Sequence, residues 1–275
     1  MSSGVVCFLS DFGVADEFVG VVHGVIARIA PGVRVIDVGH GVPRGNVRAG
    51  ALALLRAVQY LPDGVVLAVV DPGVGSGRRA IAAVTRRGVF VGPDNGLLAP
   101  AVAMVGGAER FVSIEDPRFR LRGGGSTFDG RDVFAPAAAV LASGEAVPED
   151  LGPVADPDSI MPLLLPLVDA SGGAVQGEVW WIDGFGNAET NVSPSDLAAI
   201  GLRPGDVVDV RVGAQVYRLP WVTGYPETAG AEGVVHVDSA GMMAIVVPGG
   251  RADEVFRLHD GLSVGFRIPV SGGGR

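Results

Sequence analysis

Short apolar runs alternate with segments of helical periodicity in the first half of the chain, and this alternation restricts the possible folds more than any other sequence feature. The apolar runs predict buried strands over Val5–Leu9, Val33–Val38 and Val65–Val70. The segments between them predict helices over Glu17–Ile29 and Val47–Tyr60. Helical spacing puts Phe18, Val21, Val22, Val25 and Ile29 on one apolar side of the first helix. Strands that alternate with helices favour parallel pairing through right-handed crossovers, and therefore a layered α/β domain with a mainly parallel sheet.

The remainder of the first domain is predicted from shorter signals. Ala80–Val84 and Val89–Val91 are predicted to pair as strands because the polar turn Thr85–Gly88 joins them. Two more helices are predicted over Asn95–Val105 and Asp132–Ala142.

The second half of the chain contains short strand-like segments separated by polar turns. They are Glu178–Ile182, Val207–Val212, Gln215–Leu219, Gly233–Val237, Met242–Val247 and Ser263–Ile268. Their alternation predicts a small antiparallel barrel or sandwich. Leu151–Ala174 is rich in Pro, Asp and Gly and is the predicted junction. We therefore predict an α/β nucleoside-binding domain over residues 1–170 and a smaller all-β domain over residues 171–275.

The formal net charge of −9 bears on the class of partner. Nucleic-acid phosphates require a basic surface, so an acidic chain argues against a nucleic-acid partner. A neutral or cationic small ligand is compatible with this balance, although acidic surfaces also keep proteins soluble.

Other composition features predict the cellular setting. Cys7 is the single cysteine and lies in an apolar run, so we expect a buried thiol and no internal disulfide. The N-terminal residues show no basic region followed by an apolar stretch, so no signal peptide is predicted. The longest apolar runs are too short to cross a bilayer. We expect a cytoplasmic protein with no membrane partner.

Acidic side chains follow several of the predicted strands. Asp11 follows the first, Asp37 and His40 end the second, Asp71 follows the third, and Asp94 follows Val89–Val91. In open parallel sheets ligands bind at the carboxyl ends of the strands, so these groups predict one shared crevice. An aspartate after a strand can instead cap the next helix, which is the role predicted for Asp94.

The loop from Asp71 to Arg79 is the densest of these clusters. It contains three glycines but has neither the Lys-Ser/Thr ending of a P-loop nor the spacing of a dinucleotide fingerprint. Pairing of Asp71 with Arg78 or Arg79 would keep the carboxylate ionised and oriented. A plain turn with exposed arginines is the alternative.

Two further clusters carry candidate residues. In the segment from Ser126 to Asp132, Asp132 is placed to cap the predicted helix, which leaves Asp129 and Arg131 as candidates for chemistry. The segment from Asp183 to Asn187 can hydrogen-bond to and stack on a flat heterocycle, or can be a simple hairpin turn.

Five blocks in the same order together resemble the SAM hydroxide adenosyltransferases, which are S-adenosylmethionine hydrolases that form adenosine. This family is related to the fluorinase and chlorinase. The matching blocks are Phe8–Gly13, Val70–Gly75 with Arg78 and Arg79, Gly92–Leu98, Thr127–Phe128 with Gly130–Asp132, and Ile182–Asp183 with Phe185–Asn187 and Thr190–Asn191.

The resemblance implies an N-terminal α/β domain, a C-terminal β-barrel, and a homotrimer with substrate sites between subunits. It implies no metal and no further cofactor. Asp11 matches a carboxylate that binds both ribose hydroxyls. The other implied substrate contacts are Asp183 and Asn187 at the amino-acid end, Phe128 and Phe185 against the ligand, Ser239 at the methionine carboxylate and Tyr225 over the adenine. In the fluorinase an arginine follows the serine, whereas Ala240 follows Ser239 here.

The resemblance also implies how water is activated. The hydrolases hold a water molecule with an Asp–Arg–His triad, and Asp71 and Arg78 match its first two members. Asp129 stands where the family usually has histidine, so we expect a shifted pH profile. An ionised Asp71 would repel a halide and accept a proton from water, which favours hydrolysis over halide transfer.

Three alternatives stay open at this point. The chain could be a halide-dependent adenosyltransferase or an adenosine-binding protein without turnover. Metal-dependent hydrolysis is the third alternative and has less support, because the four histidines do not show the spacing of metal ligands.

Overall fold

The computed structural model describes residues 4–121, 127–224 and 230–269, and the chain divides into two units between Leu163 and Leu164. The boundary predicted near residue 170 lies a few residues further along the chain. Each unit has its own sheet and its own apolar core.

The first unit alternates strands and helices, as the sequence predicts. Its strands are β1 (Val5–Ser10), β2 (Arg34–Gly39), β3 (Gly64–Val69), β4 (Ala80–Thr85), β5 (Gly88–Pro93), β6 (Arg110–Ser113) and β7 (Val154–Ala155). Its helices are α1 (Phe18–Ile29), α2 (Val47–Val58), α3 (Ala99–Met104), a π-helical turn (Gly130–Phe134) and α4 (Ala135–Ser143).

Among the described residues of this unit, the strands form a sheet in the order β2-β1-β3-β5-β4-β6-β7. The four strands β2, β1, β3 and β5 are parallel, whereas β4, β6 and β7 join by antiparallel pairing. The predicted parallel pairing is therefore confirmed for four strands, whereas the sheet as a whole is mixed. The reason lies in the connection between β4 and β5, since two residues can join antiparallel neighbours but cannot form a crossover.

Strand β3 is buried along its whole length, which explains its unbroken apolar sequence. Val65, Leu67 and Val69 pack in the cluster that includes α1 and α4. On the opposite face, Gly50 of α2 lies so close to Val70 that a Cβ atom at Gly50 would be 2.8 Å from the valine Cγ2. Helices therefore cover both faces of the sheet at β3.

The N-terminal ends of two predicted helices differ from the prediction. Asn95–Val105 shortens to α3, whose N-cap position is Leu98, so Asp94 does not cap it. Asp132 does not cap a helix either, because the π-helical turn begins at Gly130 and Asp132 lies inside it, paired with Arg131.

The second unit is antiparallel throughout its described strands. They are β8 (Asp169–Ser171), β9 (Ala174–Ile182), β10 (Ala188–Thr190), β11 (Val207–Val212), β12 (Gln215–Pro220), β13 (Val234–Val237), β14 (Met243–Val246) and β15 (Ser263–Arg267). Two short helices, α5 (Pro194–Ala199) and α6 (Ala252–Phe256), complete it.

These strands follow the order β12-β11-β15-β9-β10-β14-β13, with β8 on β9. A bridge from Trp221 to Val235 brings the chain after β12 against β13, so the two ends of the sheet approach each other and the sheet is nearly barrel-shaped. Side chains from most strands fill its interior, with Val179, Val210 and Phe266 fully buried. No helix in the described ranges is long and apolar enough to cross a membrane.

Candidate functional site

Arg78 joins two carboxylates beyond the end of β3. Its Nε donates to both carboxylate oxygens of Asp71, at 3.0 and 2.9 Å. Its Nη2 donates to Asp71 Oδ2 and, at 2.5 Å, to Asp129 Oδ2. The Asp71 side chain is 6% exposed and that of Arg78 is 12% exposed. We call Asp71, Arg78 and Asp129 the triad.

The loop after β3 brings Arg78 back to Asp71 through successive tight turns. The Val74 amide donates to the Asp71 carbonyl at 3.3 Å, and the Ser76 amide donates to the Gly73 carbonyl at 3.0 Å. The Ser76 hydroxyl then accepts the Arg78 amide at 3.3 Å. The glycines therefore allow a compact turn, and this turn brings Arg78 into an ion pair with Asp71.

Arg79 extends in another direction, so the sequence alternative of an Asp71–Arg79 pair is wrong. Its Nε donates to Asp94 Oδ2 at 2.9 Å, and its Nη1 donates to the Ser159 hydroxyl at 2.8 Å. Asp94 Oδ1 accepts the Met161 amide at 2.8 Å. Arg79 and Asp94 therefore hold the segment near Met161, which explains why Asp94 is not available to cap a helix.

Asp129 reaches the triad from the start of the π-helical turn. The following Gly130 allows two aromatic rings to approach, since a Cβ there would lie 2.8 Å from Phe12 and 3.2 Å from Phe128. Single π-helical turns of this kind are frequent at functional sites. Arg131, the other candidate of this segment, pairs with Asp132 and does not join the triad.

The triad joins two carboxyl groups through one permanent cation. Burial lowers the pKa of Arg78, but hydrogen bonds and charge from Asp71 and the charge of Asp129 outweigh it and raise the pKa above its ordinary value. The guanidinium therefore stays protonated over the whole range in which proteins fold. One guanidinium facing two carboxylates leaves an excess of one negative charge when both are ionised.

A cavity of about 260 Å³ connects Asp71 with Asp11 and Phe128. We call it the strand-end cavity, because Asp11 follows β1 and Asp71 follows β3. Three phenylalanines form one wall of it: the Phe12 and Phe18 rings lie 5.6 and 5.1 Å from the Phe128 ring, both edge-on. The cavity thus combines carboxylates with aromatic edges, which suits a cationic or neutral ligand containing a flat ring.

Asp11 is held in place by backbone groups on both sides. Its Oδ2 accepts the Gly45 amide at 2.7 Å, and its own amide donates to the Val69 carbonyl at 3.3 Å. The carboxylate therefore has a defined orientation at the cavity and retains acceptor capacity for a ligand.

The remaining cavity residues were missed by sequence reasoning. Asp16, Arg44, Val74 and Thr127 line the cavity, as does Phe18, which the helical spacing assigned to the core face. Phe18 is the first residue of α1 and is 38% exposed. Its position directly after a strand-end loop was a usable signal, because ligands bind where such loops converge.

In the second unit, Asp183 and Asn187 form one tight turn. Asp183 Oδ1 accepts the amides of Phe185 and Asn187 at 2.8 and 2.9 Å, and Oδ2 accepts the Asn187 side-chain amide at 2.8 Å. The turn leaves the Phe185 side chain 80% exposed at the edge of a groove of about 490 Å³. An aromatic side chain held out by a rigid turn is suited to contact a ligand.

Ser239 and Tyr225, the other two predicted substrate contacts in this unit, are not part of the turn from Asp183 to Asn187. Ser239 is exposed in the connection between β13 and β14, where Asp238 Oδ1 accepts the amides of Ala240 and Met242 at 2.8 Å each. Tyr225 lies outside the described residues. Asp11, Phe128, Asp71, Arg78 and Asp129 therefore meet in the first unit, and Asp183, Phe185 and Asn187 meet in the second.

The histidines show no metal site within the ranges that the structure describes, where no group of three or more His, Cys, Asp or Glu side chains is arranged to hold an ion. His40, which could line the crevice by its position after β2, is instead 6% exposed and bonded to Ser10 and Asp37.

Comparison with known proteins places both units in one family. The N-terminal domain of SAM hydroxide adenosyltransferase matches residues 6–152, and the C-terminal domain of the same family matches residues 177–265.

Individual relatives agree with this match. The chain is 43% identical over 270 residues to a Salinispora tropica protein named (R)-S-adenosyl-L-methionine hydrolase, covering 98% of each. It is 26% identical to a fluorinase from an Actinoplanes species, covering 94% of this chain and 96% of the fluorinase. A crystal structure of an uncharacterized conserved protein from Thermotoga maritima superposes with a TM-score of 0.89 at 34% identity, covering 95% of this chain and 99% of that one.

Proposed function

The chain belongs to the SAM hydroxide adenosyltransferase family, and on that premise we propose that it hydrolyses S-adenosyl-L-methionine to adenosine and L-methionine. Water adds to the ribose 5′-carbon while the bond from that carbon to sulfur breaks. The bonding electrons go to sulfur, so methionine leaves as a neutral thioether, and the water proton is released.

One observation carries this proposal: the bidentate Asp71–Arg78 pair lies at the edge of the cavity that also holds Asp11. A carboxylate oriented by a guanidinium can hold a water molecule and accept its proton. Asp129, which accepts from the same Nη2 as Asp71, fixes the position of Arg78.

The ribose and adenine are proposed to occupy the strand-end cavity. Asp11 accepts the ribose hydroxyls, while Phe128 and its neighbouring rings pack against the flat and apolar parts of the nucleoside. Fixing the ribose next to Asp71 places the 5′-carbon within reach of the oriented water, which is the main entropic requirement of the reaction.

The methionine end is proposed to be bound by residues of the second unit. Asp183 has acceptor capacity beyond its turn for the ammonium group, and Asn187, Phe185 and Ser239 supply further contacts. We propose that these residues complete the site of a neighbouring subunit in a homotrimer, as the family resemblance implies. Ala240 after Ser239 provides no charge for the carboxylate.

Charge favours water over a halide as the nucleophile. Asp11, Asp16 and Asp71 line the cavity, opposed there by Arg44. Such a surface attracts the sulfonium cation and repels a fluoride or chloride ion approaching the 5′-carbon. The identity values point the same way, at 43% to the hydrolase and 26% to the fluorinase.

The proposal is tested by incubating the protein with S-adenosyl-L-methionine and separating the products by chromatography. We expect equimolar adenosine and methionine, and in ¹⁸O-labelled water one heavy oxygen in the adenosine. Parallel samples contain chloride or fluoride. A 5′-halo-adenosine product would instead identify a halide transferase, and adenosine binding without conversion would identify a binding protein.

We propose that the reaction needs no metal and no further cofactor. Treatment with EDTA followed by gel filtration is expected to leave the rate unchanged. Loss of activity that is restored by a divalent cation would contradict this part of the proposal.

A further inference from the structure

We propose that His40 is a positioning residue of the nucleoside site, which acts through Ser10 to fix the backbone that carries Asp11. The inference rests on the proposed function, because it assigns His40 a part in binding the ribose. His40 does not line the strand-end cavity, so any influence on the ligand must pass through its neighbours.

A continuous chain of hydrogen bonds links the end of β2 to the loop after β1. His23 Nε2 and His40 Nε2 lie 2.8 and 3.0 Å from the same oxygen, Asp37 Oδ1. His40 Nδ1 lies 2.7 Å from the Ser10 hydroxyl, and that hydroxyl accepts the Phe12 amide at 3.3 Å.

The direction of each bond in this chain follows from Asp37. Burial raises its pKa, but hydrogen bonds and charge from His40 and His23 bring the pKa below the ordinary value, so Asp37 is an anion near neutral pH and only accepts. In the neutral imidazole, His40 then carries its single proton on Nε2, which leaves Nδ1 as an acceptor. Ser10 therefore donates to His40 and has its lone pairs available for the Phe12 amide.

The same histidine also holds the loop through its main chain. The Gly13 amide donates to the His40 carbonyl at 2.8 Å, at a glycine whose φ of 71° suits this sharp turn. With the Gly45 amide bound to Asp11, the loop after β1 is attached to the loop after β2 at three points. Asp11 forms one of these attachments and lies between the other two, at Ser10 and Gly13, so its carboxylate position depends on all three.

Because Ser10 and His40 are buried, loss of the hydrogen bond between their side chains is energetically unfavourable. Ser10 has no exposed surface and His40 is 6% exposed, with the Phe8 ring 4.6 Å from the imidazole. A buried hydroxyl without an acceptor is unfavourable, so removing Nδ1 is expected to displace Ser10 and with it the Phe12 amide.

Two substitutions test the two ring nitrogens of His40 independently. In H40N the amide oxygen occupies the place of Nδ1 and can still accept from Ser10, whereas H40Q supplies a donor near Nε2 but no acceptor for Ser10. We expect H40Q to raise KM and the adenosine dissociation constant about fivefold to tenfold, which corresponds to one hydrogen bond, with kcat within about twofold. H40N should keep values near those of the unaltered protein.

Ser10→Ala completes the test, because it removes the same link from the other side. It should match H40Q, and the double variant should be no worse than either one, since both break one chain. Circular dichroism at the assay temperature confirms that each variant is folded. The exposed His259→Gln, in the second unit, is the control and should change nothing.

Equal values for H40N and H40Q, or an unchanged KM in H40Q and Ser10→Ala, would overturn the role of His40. If the unaltered protein binds adenosine but leaves S-adenosyl-L-methionine intact, the proposed hydrolysis fails, while the adenosine affinities still decide the role of His40. If it neither binds adenosine nor converts S-adenosyl-L-methionine, both proposals fail.

Discussion

At the scale of single residues, the guanidinium of Arg78 binds two carboxylates that differ in their surroundings. Asp71 accepts from both Nε and Nη2 and lines the strand-end cavity, whereas Asp129 accepts from Nη2 and does not line that cavity. The geometry therefore separates a carboxylate that can meet a water molecule from one that orients the cation.

Replacing Asp71 tests that division of roles. In Asp71→Asn the side chain keeps its shape but cannot accept a proton, so kcat is expected to fall about a hundredfold or more. Adenosine affinity should be nearly unchanged, because Asp11 and the aromatic wall remain. Asp94→Asn is the matched control: that carboxylate also pairs with an arginine, Arg79, but holds a structural segment. A full rate in Asp71→Asn would remove the proposed base.

Asp129→His tests the departure from the family pattern. An imidazole titrates near pH 6.5 in unstructured peptides, so the variant should acquire an inflection of kcat/KM in about that range that the native protein lacks. The exposed Glu109→His, distant from the triad in sequence, should leave the profile unchanged. Identical profiles for native protein and Asp129→His would show that Asp129 does not take part in the mechanism.

At the scale of elements, the site depends on the order of strands in the first sheet. Adjacent parallel strands β1 and β3 end at the same edge, which is why Asp11 and Asp71 lie at one cavity. Strand β5 pairs with β3 in parallel and with β4 in antiparallel fashion, and so joins the two halves of the sheet.

Gly88 at the start of β5 permits this junction. Its φ is 134°, and a Cβ atom there would lie 1.8 Å from the Gly64 carbonyl oxygen. We expect Gly88→Ala to destabilise the protein by about 3 kcal/mol and to lower Tm by about 6 °C or more in calorimetry.

Gly32→Ala is the matched control for that substitution, because no atom lies within 4 Å of the added Cβ and its φ is ordinary. Its stability should change by less than about 0.5 kcal/mol. Equal Tm values for the two variants would mean that the β3–β5 contact relaxes without cost.

At the scale of the whole molecule, the candidate residues fall into two groups, one in each unit. The triad and Asp11 belong to the first unit, and the turn from Asp183 to Asn187 belongs to the second. The proposed homotrimer would let each substrate use one group from each of two subunits.

Mixed oligomers test this arrangement. Asp71→Asn and Asp183→Ala should each be inactive alone, but co-expressed in equal amounts they should recover up to about a quarter of full activity, since some sites then receive two unaltered halves. Co-expression of two different first-unit variants, Asp71→Asn and Arg78→Met, is the control and should recover nothing. No recovery in the first mixture would place each site within one subunit.

The sequence by itself determined the kinds and order of the elements in the first unit and supplied candidate residues for the site. Apolar runs and helical spacing predict β1, α1, β2, α2 and β3 within one or two residues, because burial imposes these periods on the side chains. The positions of Asp11 and Asp71 directly after strands predict their place at the site, since strand ends are visible in a linear pattern.

Only the tertiary structure decided contacts that depend on neighbours distant in sequence. It chose Arg78 over Arg79 for Asp71, because Asp94 and Ser159 bind the guanidinium of Arg79. It also turned Phe18 from a predicted core residue into a cavity wall beside Phe128. Residues 110 positions apart in the chain cannot reveal such a contact by their spacing, because folding alone brings them together.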